Sequence, residues 1–298
     1  MDEQFFEFVR ELPDPALRAR AEALVGFDAR YRAVAGNLRL LLERNEVRAW
    51  SVRHHGRALA VCETIAERHP LVLFEGDVGT GKTVTAECVA DQMTRELRRE
   101  GHLLKLSTRV RGKGLHGEMT RLLQEGFRRL HEEAGRSRLA FLLVDEADAI
   151  ASTRATAQMH QEEKAAVNTL IQKLDEVRGL AGRAIVMMTT NRGDVIDPAI
   201  ARRAGLRVRF ERPGPEERRE LLARDLGGLD LTESQVELLV EATGPRGDRL
   251  GLTWSDFRQR LLPEAVARVY PDGPLTFEVL LEVATRLIPS PALALEEE

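Results

Sequence analysis

Gly76-Asp77-Val78-Gly79-Thr80-Gly81-Lys82-Thr83 combines glycines, one lysine and a terminal hydroxyl at the spacing G-x-x-x-x-G-K-T. It follows the apolar run LVLFEG and opens a stretch of helical periodicity, the context in which this pattern forms a phosphate-binding loop. Glycines let the backbone turn tightly, so that successive N–H groups converge on phosphate oxygens. The start of the next helix adds positive potential. Lys82 would reach the β- and γ-phosphates, and the Thr83 hydroxyl would ligate Mg²⁺. The expected nucleotide contacts are Gly76, Asp77, Val78, Gly79, Thr80, Gly81, Lys82, Thr83 and the adjoining Val84. The implied cofactors are ATP and Mg²⁺.

A second constellation is Phe141-Leu142-Leu143-Val144-Asp145-Glu146. Four apolar residues followed by two acids describe a buried strand, Ala140–Glu146, with carboxylates at its C-terminal end. In a doubly wound sheet that end faces the ligand. Asp145 would hold the hydration shell of Mg²⁺, making Thr83 and Asp145 the metal-side pair, and Glu146 would polarise the attacking water. On an extended segment the two acids would point to opposite sides. Thr189-Thr190-Asn191 ends another apolar run, and Asn191 can orient water near the γ-phosphate. Asp197-Pro198-Ala199-Ile200-Ala201-Arg202-Arg203 offers two arginines. A buried intramolecular pair could explain one arginine. The favoured reading is a finger that neutralises charge in a neighbouring subunit's phosphoryl transfer, with Arg202 and Arg203 both candidates for it.

The elements that must position these residues alternate. LVLFEG, HLLKLS, AFLLVDE, AIVMMTTN and LRVRFERP read as five strands, separated by helical stretches at 82–99, 115–133, 162–177 and 198–203. That order implies an α/β fold, a five-stranded parallel sheet with helices on both faces. Residues 1–50 read as a helical segment, with Phe5, Phe8 and Leu12 on one stripe, and 51–213 as the nucleotide-binding unit. After Pro213-Gly214-Pro215 the pattern becomes all helical, a small lid over 214–288, with Thr232 and Ser255 as expected N-caps. A frayed tail is expected over 289–298.

With 43% hydrophobic and 31% charged residues the 298-residue chain is an ordinary globular one. Its formal charge of −4 gives no bulk attraction to nucleic acid or anionic membrane. The arginine clusters at 98–99, 128–129 and 136/138 are interleaved with glutamates. Cys62 and Cys88 form no C-x-x-C, so two reduced thiols are expected. The seven histidines show no H-E-x-x-H, and no transition-metal site is expected. The acidic start lacks a signal-peptide pattern and no apolar run reaches spanning length, so a cytoplasmic protein with no membrane association is expected.

These motifs, in this order, resemble the AAA+ ATPases from about Leu71 to the final helices. VGTGKT resembles that family's P-loop, FLLVDEAD its acidic motif, TTN its sensor asparagine and DPAIARR its second region of homology. The resemblance implies a ring, usually a homo-hexamer, with ATP at each subunit interface. FLLVDEADAIASTRATA, AAVNTLIQKLDEVRG, TTNRGDVIDPAIARRA and GLTWSDFRQRLLPEA are more closely similar to the pachytene-checkpoint group, whose members remodel HORMA-domain proteins. Its bacterial branch belongs to CBASS anti-phage operons. A HORMA-domain partner, converted between closed and open states by engagement in the ring's central pore, is what that likeness implies.

Lys113-Gly114-Leu115-His116-Gly117-Glu118 resembles the pore loop of the family, with Lys113, Leu115 and His116 as the gripping residues. The alternative reading of the same stretch is a helix start with Leu115 in the core. A second pore loop is expected within 152–162. Three departures stand out. Asp77-Val78 replaces the usual Pro-Pro. Ser255 falls where a lid arginine is expected, leaving Arg258 or Arg260 to serve. The N-terminal segment is also short for the receptor domain of eukaryotic members. Two other functions remain open on sequence grounds: a DNA-associated ATPase, against which the scattered charge argues, and a regulatory ATPase for an adjacent protease or effector.

Overall fold

A computed structural model describes residues 5–107, 117–135, 137–152, 161–180 and 182–292, with the backbone alone for 161–163. In chain order the elements are β1 (Phe6–Leu12), α1 (Pro15–Glu22), α2 (Phe27–Leu42), α3 (Arg44–His55), α4 (Val61–Ala66), β2 (Leu71–Gly76), α5 (Lys82–Glu96), β3 (Gly101–Leu106), α6 (Glu118–Ala134), β4 (Leu139–Val144), α7 (Gln161–Val177), β5 (Ala184–Thr190), α8 (Pro198–Ala201), β6 (Leu206–Phe210), α9 (Pro215–Asp225) and α10 (Glu233–Ala242). A π-helical stretch at Asp256–Leu261, α11 (Leu262–Ala267) and α12 (Phe277–Arg286) complete them.

The strands order as β1-β3-β4-β5-β2-β6. β3, β4, β5, β2 and β6 are the five expected parallel strands. The sheet nevertheless has six. Phe6–Leu12, read as helical, is a strand that pairs antiparallel with β3, Leu12 opposite Gly101 and Phe6 opposite Leu106. Phe5, Phe8 and Leu12 satisfy a helical stripe, but Phe6, Phe8, Arg10 and Leu12 also satisfy a period of two. The open edge of β3 decides between them, because pairing satisfies its backbone groups.

Successive strand residues face opposite layers. Leu73, Leu104, Leu142, Val186 and Met188 pack with Leu123, Phe127 and Leu130 of α6 and with Val167 and Leu170 of α7. Val72, Phe74, Leu103, Phe141, Ile185 and Met187 pack with Val34, Leu38 and Leu41 of α2 and with Ala86, Val89 and Met93 of α5. Each large side chain buried this way contributes roughly 1.5–3 kcal/mol. Burial on both faces explains why the strands read as continuous apolar runs.

Helices α9 to α12 enclose a third core around Leu221, Leu239, Phe257, Leu280 and Val283, which also takes in Val25 from the N-terminal segment. Thr232 caps α10 as expected, reciprocating with Gln235. Ser255 caps nothing and is itself helical, at φ −67 and ψ −40. The cap is Thr253, whose Oγ1 accepts the Asp256 N–H at 3.1 Å while Asp256 Oδ2 accepts the Thr253 N–H at 3.0 Å. The tail is not free from its start: Ser290 donates through both N and Oγ to the buried Asp256 carboxylate.

Candidate nucleotide site

The loop joining β2 to α5 is shaped by its glycines. At Gly76, φ is +147°, and a Cβ would stand 2.1 Å from the carbonyl oxygen of Phe210 in β6. At Gly79, φ is +76°, and a Cβ would meet Ser255 Cβ at 2.7 Å and Thr253 Oγ1 at 2.9 Å, so the lid rests directly on the loop. Gly81 precedes α5 with φ +88° and supplies no capping side chain. The first-turn N–H groups of α5 are thereby left for phosphate oxygens. Val78 is exposed.

Lys82 is 6% exposed, and its ammonium donates to the carbonyls of Gly76 at 2.9 Å and Asp77 at 2.7 Å. Thr80 Oγ1 donates to the same Asp77 carbonyl at 2.8 Å. Burial pulls the Lys82 pKa down to about 8, against the raising influence of Asp77, Asp145 and Asp148.

Thr83 and Asp145, each given a metal-side role by its own motif, lie together: Thr83 Oγ1 donates to Asp145 Oδ1 at 2.8 Å. Thr189 Oγ1 donates to the same oxygen. The other oxygen, Oδ2, lies 3.5 Å from Lys105 Nζ, which also reaches Glu7 Oε2 at 3.2 Å and Glu87 Oε1 at 3.5 Å. Burial works against the Lys105 charge, but Asp145, Glu7 and Glu87 together hold its pKa above the ordinary lysine range. Nothing in HLLKLS distinguished Lys105 from strand filler. A carboxylate and a hydroxyl, both oxygen donors, fit a hard divalent cation such as Mg²⁺.

Glu146 departs from the extended geometry expected of it. β4 ends at Val144, and Glu146 is exposed, with φ +50° at the head of a 3₁₀ turn over Ala147–Ala149. Its N–H donates to Thr189 Oγ1 at 3.3 Å. A left-handed, non-glycine residue costs of order 1–3 kcal/mol and is maintained here by its surroundings. The two acids differ in exposure: Asp145 is half-buried and Glu146 is exposed. Asn191 is half-buried at the end of β5. The neighbouring threonines do the pinning: Thr190 Oγ1 donates to Asp148 Oδ1 at 2.9 Å and accepts the Arg192 N–H at 3.0 Å.

The two arginines divide. Arg203 forks onto Asp175, Nε to Oδ1 at 2.8 Å and Nη2 to Oδ2 at 3.0 Å, and donates to the Ala199 carbonyl at 2.9 Å. Arg202 is exposed and, among the described residues, donates only to a carbonyl of its own helix, that of Pro198, at 3.2 Å. In the lid, Arg258 is forked onto Asp225 at 2.8 and 3.0 Å, and Arg260 donates to Asp256 at 2.8 Å. Ser255 bonds the loop, its N–H donating to the Gly79 carbonyl at 3.2 Å.

Beside Gly79, Thr80 and Gly81 lies a cavity of about 260 Å³, walled by Val84, by Leu24, Val25 and Arg30 of the N-terminal segment, and by Leu221, Trp254 and Arg258 of the lid. The Arg30 guanidinium stands 5.6 Å over the Trp254 ring and pairs with Glu217 at 3.0 Å, while its Nε is buried without a hydrogen-bond partner among the described residues. Such a pocket fits a planar heterocycle next to a phosphate loop. Its walls come from segments that no local pattern joins. Trp254, one of two tryptophans in an aromatic-poor chain, carried the one available signal.

Residues 72–212 match the family described as ATPase family associated with various cellular activities (AAA). CD-NTase-associated protein 6 of Escherichia coli strain KTE188 is 45% identical over 289 residues, 97% of each chain. The chain belongs to the AAA ATPases. It is an ATPase, and nucleotide binding goes with that family. Among solved structures, this AAA ATPase is similar to a chain of the E. coli MS115-1 HORMA:CdnC:Trip13 complex, with TM-score 0.91, 37% identity and 99% of both chains covered. It is also similar to Rhizobiales Trip13, with TM-score 0.75, 34% identity, and 96% of this chain and 99% of that one covered. The expected pore residues Lys113, Leu115 and His116 lie outside the described residues, as does most of the expected second loop. Among the described residues, no helix is long and apolar enough to cross a membrane.

Proposed function

We propose that this ATPase is a ring-forming protein remodeller whose substrate is a HORMA-domain protein, acting in CBASS anti-phage signalling. The observation that carries the reading is the near-complete superposition, over 99% of both chains, on a protein solved in complex with HORMA and CdnC. Names of the near-full-length relatives place them beside a CD-NTase. Likeness along the whole length, rather than over the P-loop unit alone, favours a shared task over a shared fold.

The site geometry supports a division of labour. ATP would lie with its phosphates against Lys82 and the first turn of α5, and its base in the Trp254 cavity. Thr83 and Asp145 would hold Mg²⁺, which would neutralise phosphate charge when bound. Glu146 would polarise water and Asn191 would orient it. Arg202, left without a side-chain partner among the described residues, would serve a neighbouring subunit, whereas Arg203 braces its own. A homo-hexamer would supply that neighbour, and Lys113, Leu115 and His116 would face its pore.

The test is conversion of a HORMA-domain partner between closed and open forms, with ATP, by wild type and by Leu115→Ala. Wild type should convert it, and the variant should hydrolyse ATP within a few-fold of wild type without conversion. A wild type that hydrolyses ATP but neither binds nor alters such partners refutes the remodelling reading and leaves the ATPase intact.

A further inference from the structure

Asp77 stands where the family resemblance would put proline, and its carboxylate is held by an arginine from the chain after β6. Its Oδ2 accepts Arg212 Nε at 2.7 Å. The same guanidinium donates through Nη1 to the Gly251 carbonyl at 2.7 Å and through Nη2 to the Ser290 carbonyl at 2.7 Å. Three nitrogens of one side chain thus tie together the phosphate loop, the segment that enters the lid's π-helical stretch, and the chain beyond α12. Both partners are largely buried, Arg212 at 12% and Asp77 at 17% side-chain exposure. A charge-assisted pair in that setting is stiffer than a solvent-facing one.

The contacts close into a circuit. Ser290 donates to Asp256, which is fully buried, and Asp256 and Thr253 cap each other reciprocally. Thr253 and Ser255 rest on Gly79, and the Ser255 N–H returns to the loop at the Gly79 carbonyl. The Asp77 carbonyl accepts Lys82 Nζ, the group aimed at phosphate. The loop therefore holds the lid at two points, directly at Gly79 and through Arg212 at Asp77. Two points fix an angle where one would leave a pivot.

We propose that Arg212 is a positioning residue: through Asp77, Gly251 and Ser290 it sets the lid's orientation over the phosphate loop, and so controls nucleotide affinity and turnover without touching nucleotide. The residue at 77 is aspartate because the latch needs an anion there. The segment beyond α12 takes part, since it carries one of the three acceptors. This rests on the ATPase activity and not on the identity of any protein substrate.

The experiment measures ADP affinity by calorimetry, steady-state ATP turnover and thermal midpoint on full-length wild type, Asp77→Asn, Arg212→Gln and the double variant. If the two residues act through one another, each single variant weakens ADP binding about five- to tenfold and lowers kcat, and the double is no worse than the weaker single. Ser290→Ala, which loses one bond to Asp256, shifts ADP affinity in the same direction by less. A fall in thermal midpoint with unchanged ADP affinity and kcat would show a brace for stability and overturn the proposal. Additive losses in the double variant would overturn it too. Should Arg212→Gln not fold, Asp77→Asn and Ser290→Ala decide alone: unchanged affinity in both refutes the latch.

Discussion

Thr83 Oγ1 donates to Asp145 Oδ1 across 2.8 Å, joining the first turn of α5 to the end of β4. The two oxygens stand where a divalent cation can take one ligand from each. Asp145→Asn or Thr83→Ala should therefore weaken Mg²⁺-dependent ATP turnover by about 10–100-fold in apparent Mg²⁺ affinity. A Mg²⁺ titration of the ATPase rate checks this. A titration curve identical to wild type would remove the pair from the metal side.

Lys82 and Glu146 should fail differently. Lys82→Ala removes the buried ammonium and should weaken ATP binding roughly a hundredfold or more. Glu146→Gln leaves the P-loop contacts intact and should bind ATP normally while turnover falls by about 10²–10⁴. Binding and turnover measured on both variants separate the roles, and equal loss of binding would contradict them.

The depressed pKa of Lys82 makes nucleotide binding pH-dependent. In the folded protein the ammonium titrates near 8, against the usual 10.5. Between those values the folded state holds fewer protons here than the unfolded chain, so this group makes stability rise with pH across the window. Phosphate binding reverses the trend by recharging Lys82. ATP affinity should decline above about pH 8, with proton uptake approaching one per ATP near pH 9. Calorimetry in buffers of different ionisation enthalpy reads that uptake directly, and none at pH 9 would exclude Lys82 as the titrating group.

Arg202→Ala and Arg203→Ala should part company. Arg202→Ala should keep ATP binding and stability but lose turnover by about 10³–10⁵, the scale of an arginine finger. Mixing it with Lys82→Ala protein should recover activity, since mixed interfaces pair an intact finger with an intact P-loop. Arg203→Ala breaks a partly exposed fork to Asp175 and should cost about 0.2–1 kcal/mol of stability. A thermal midpoint lowered by Arg202→Ala instead would reverse the assignment.

Trp254 should report the nucleotide. In Trp50→Phe it is the remaining tryptophan, and adenine nucleotide should change its emission. Trp254→Ala should weaken ADP binding about tenfold, the order of one buried aromatic face. Emission indifferent to saturating ADP would move the base out of this cavity.

What the sequence by itself determined was local. The G-x-x-x-x-G-K-T spacing, the acids after an apolar run and the alternation of strand with helix each depend on neighbours a few residues apart, where backbone geometry ties spacing to position. Five parallel strands and the helices after Pro215 follow from that. Tertiary structure alone decided the rest, because the deciding partner is distant in the chain. Phe6–Leu12 fits two periodicities, and the bare edge of β3 selects one. Arg202 and Arg203 are adjacent and chemically alike, and Asp175 on α7 claims one of them. Leu24, Val25 and Trp254 wall one cavity although the lid lies at the far end of the sequence. Asp77 reads as an irregular P-loop residue until Arg212 is seen against it, since a carboxylate's role is set by which charge folding brings within hydrogen-bond reach.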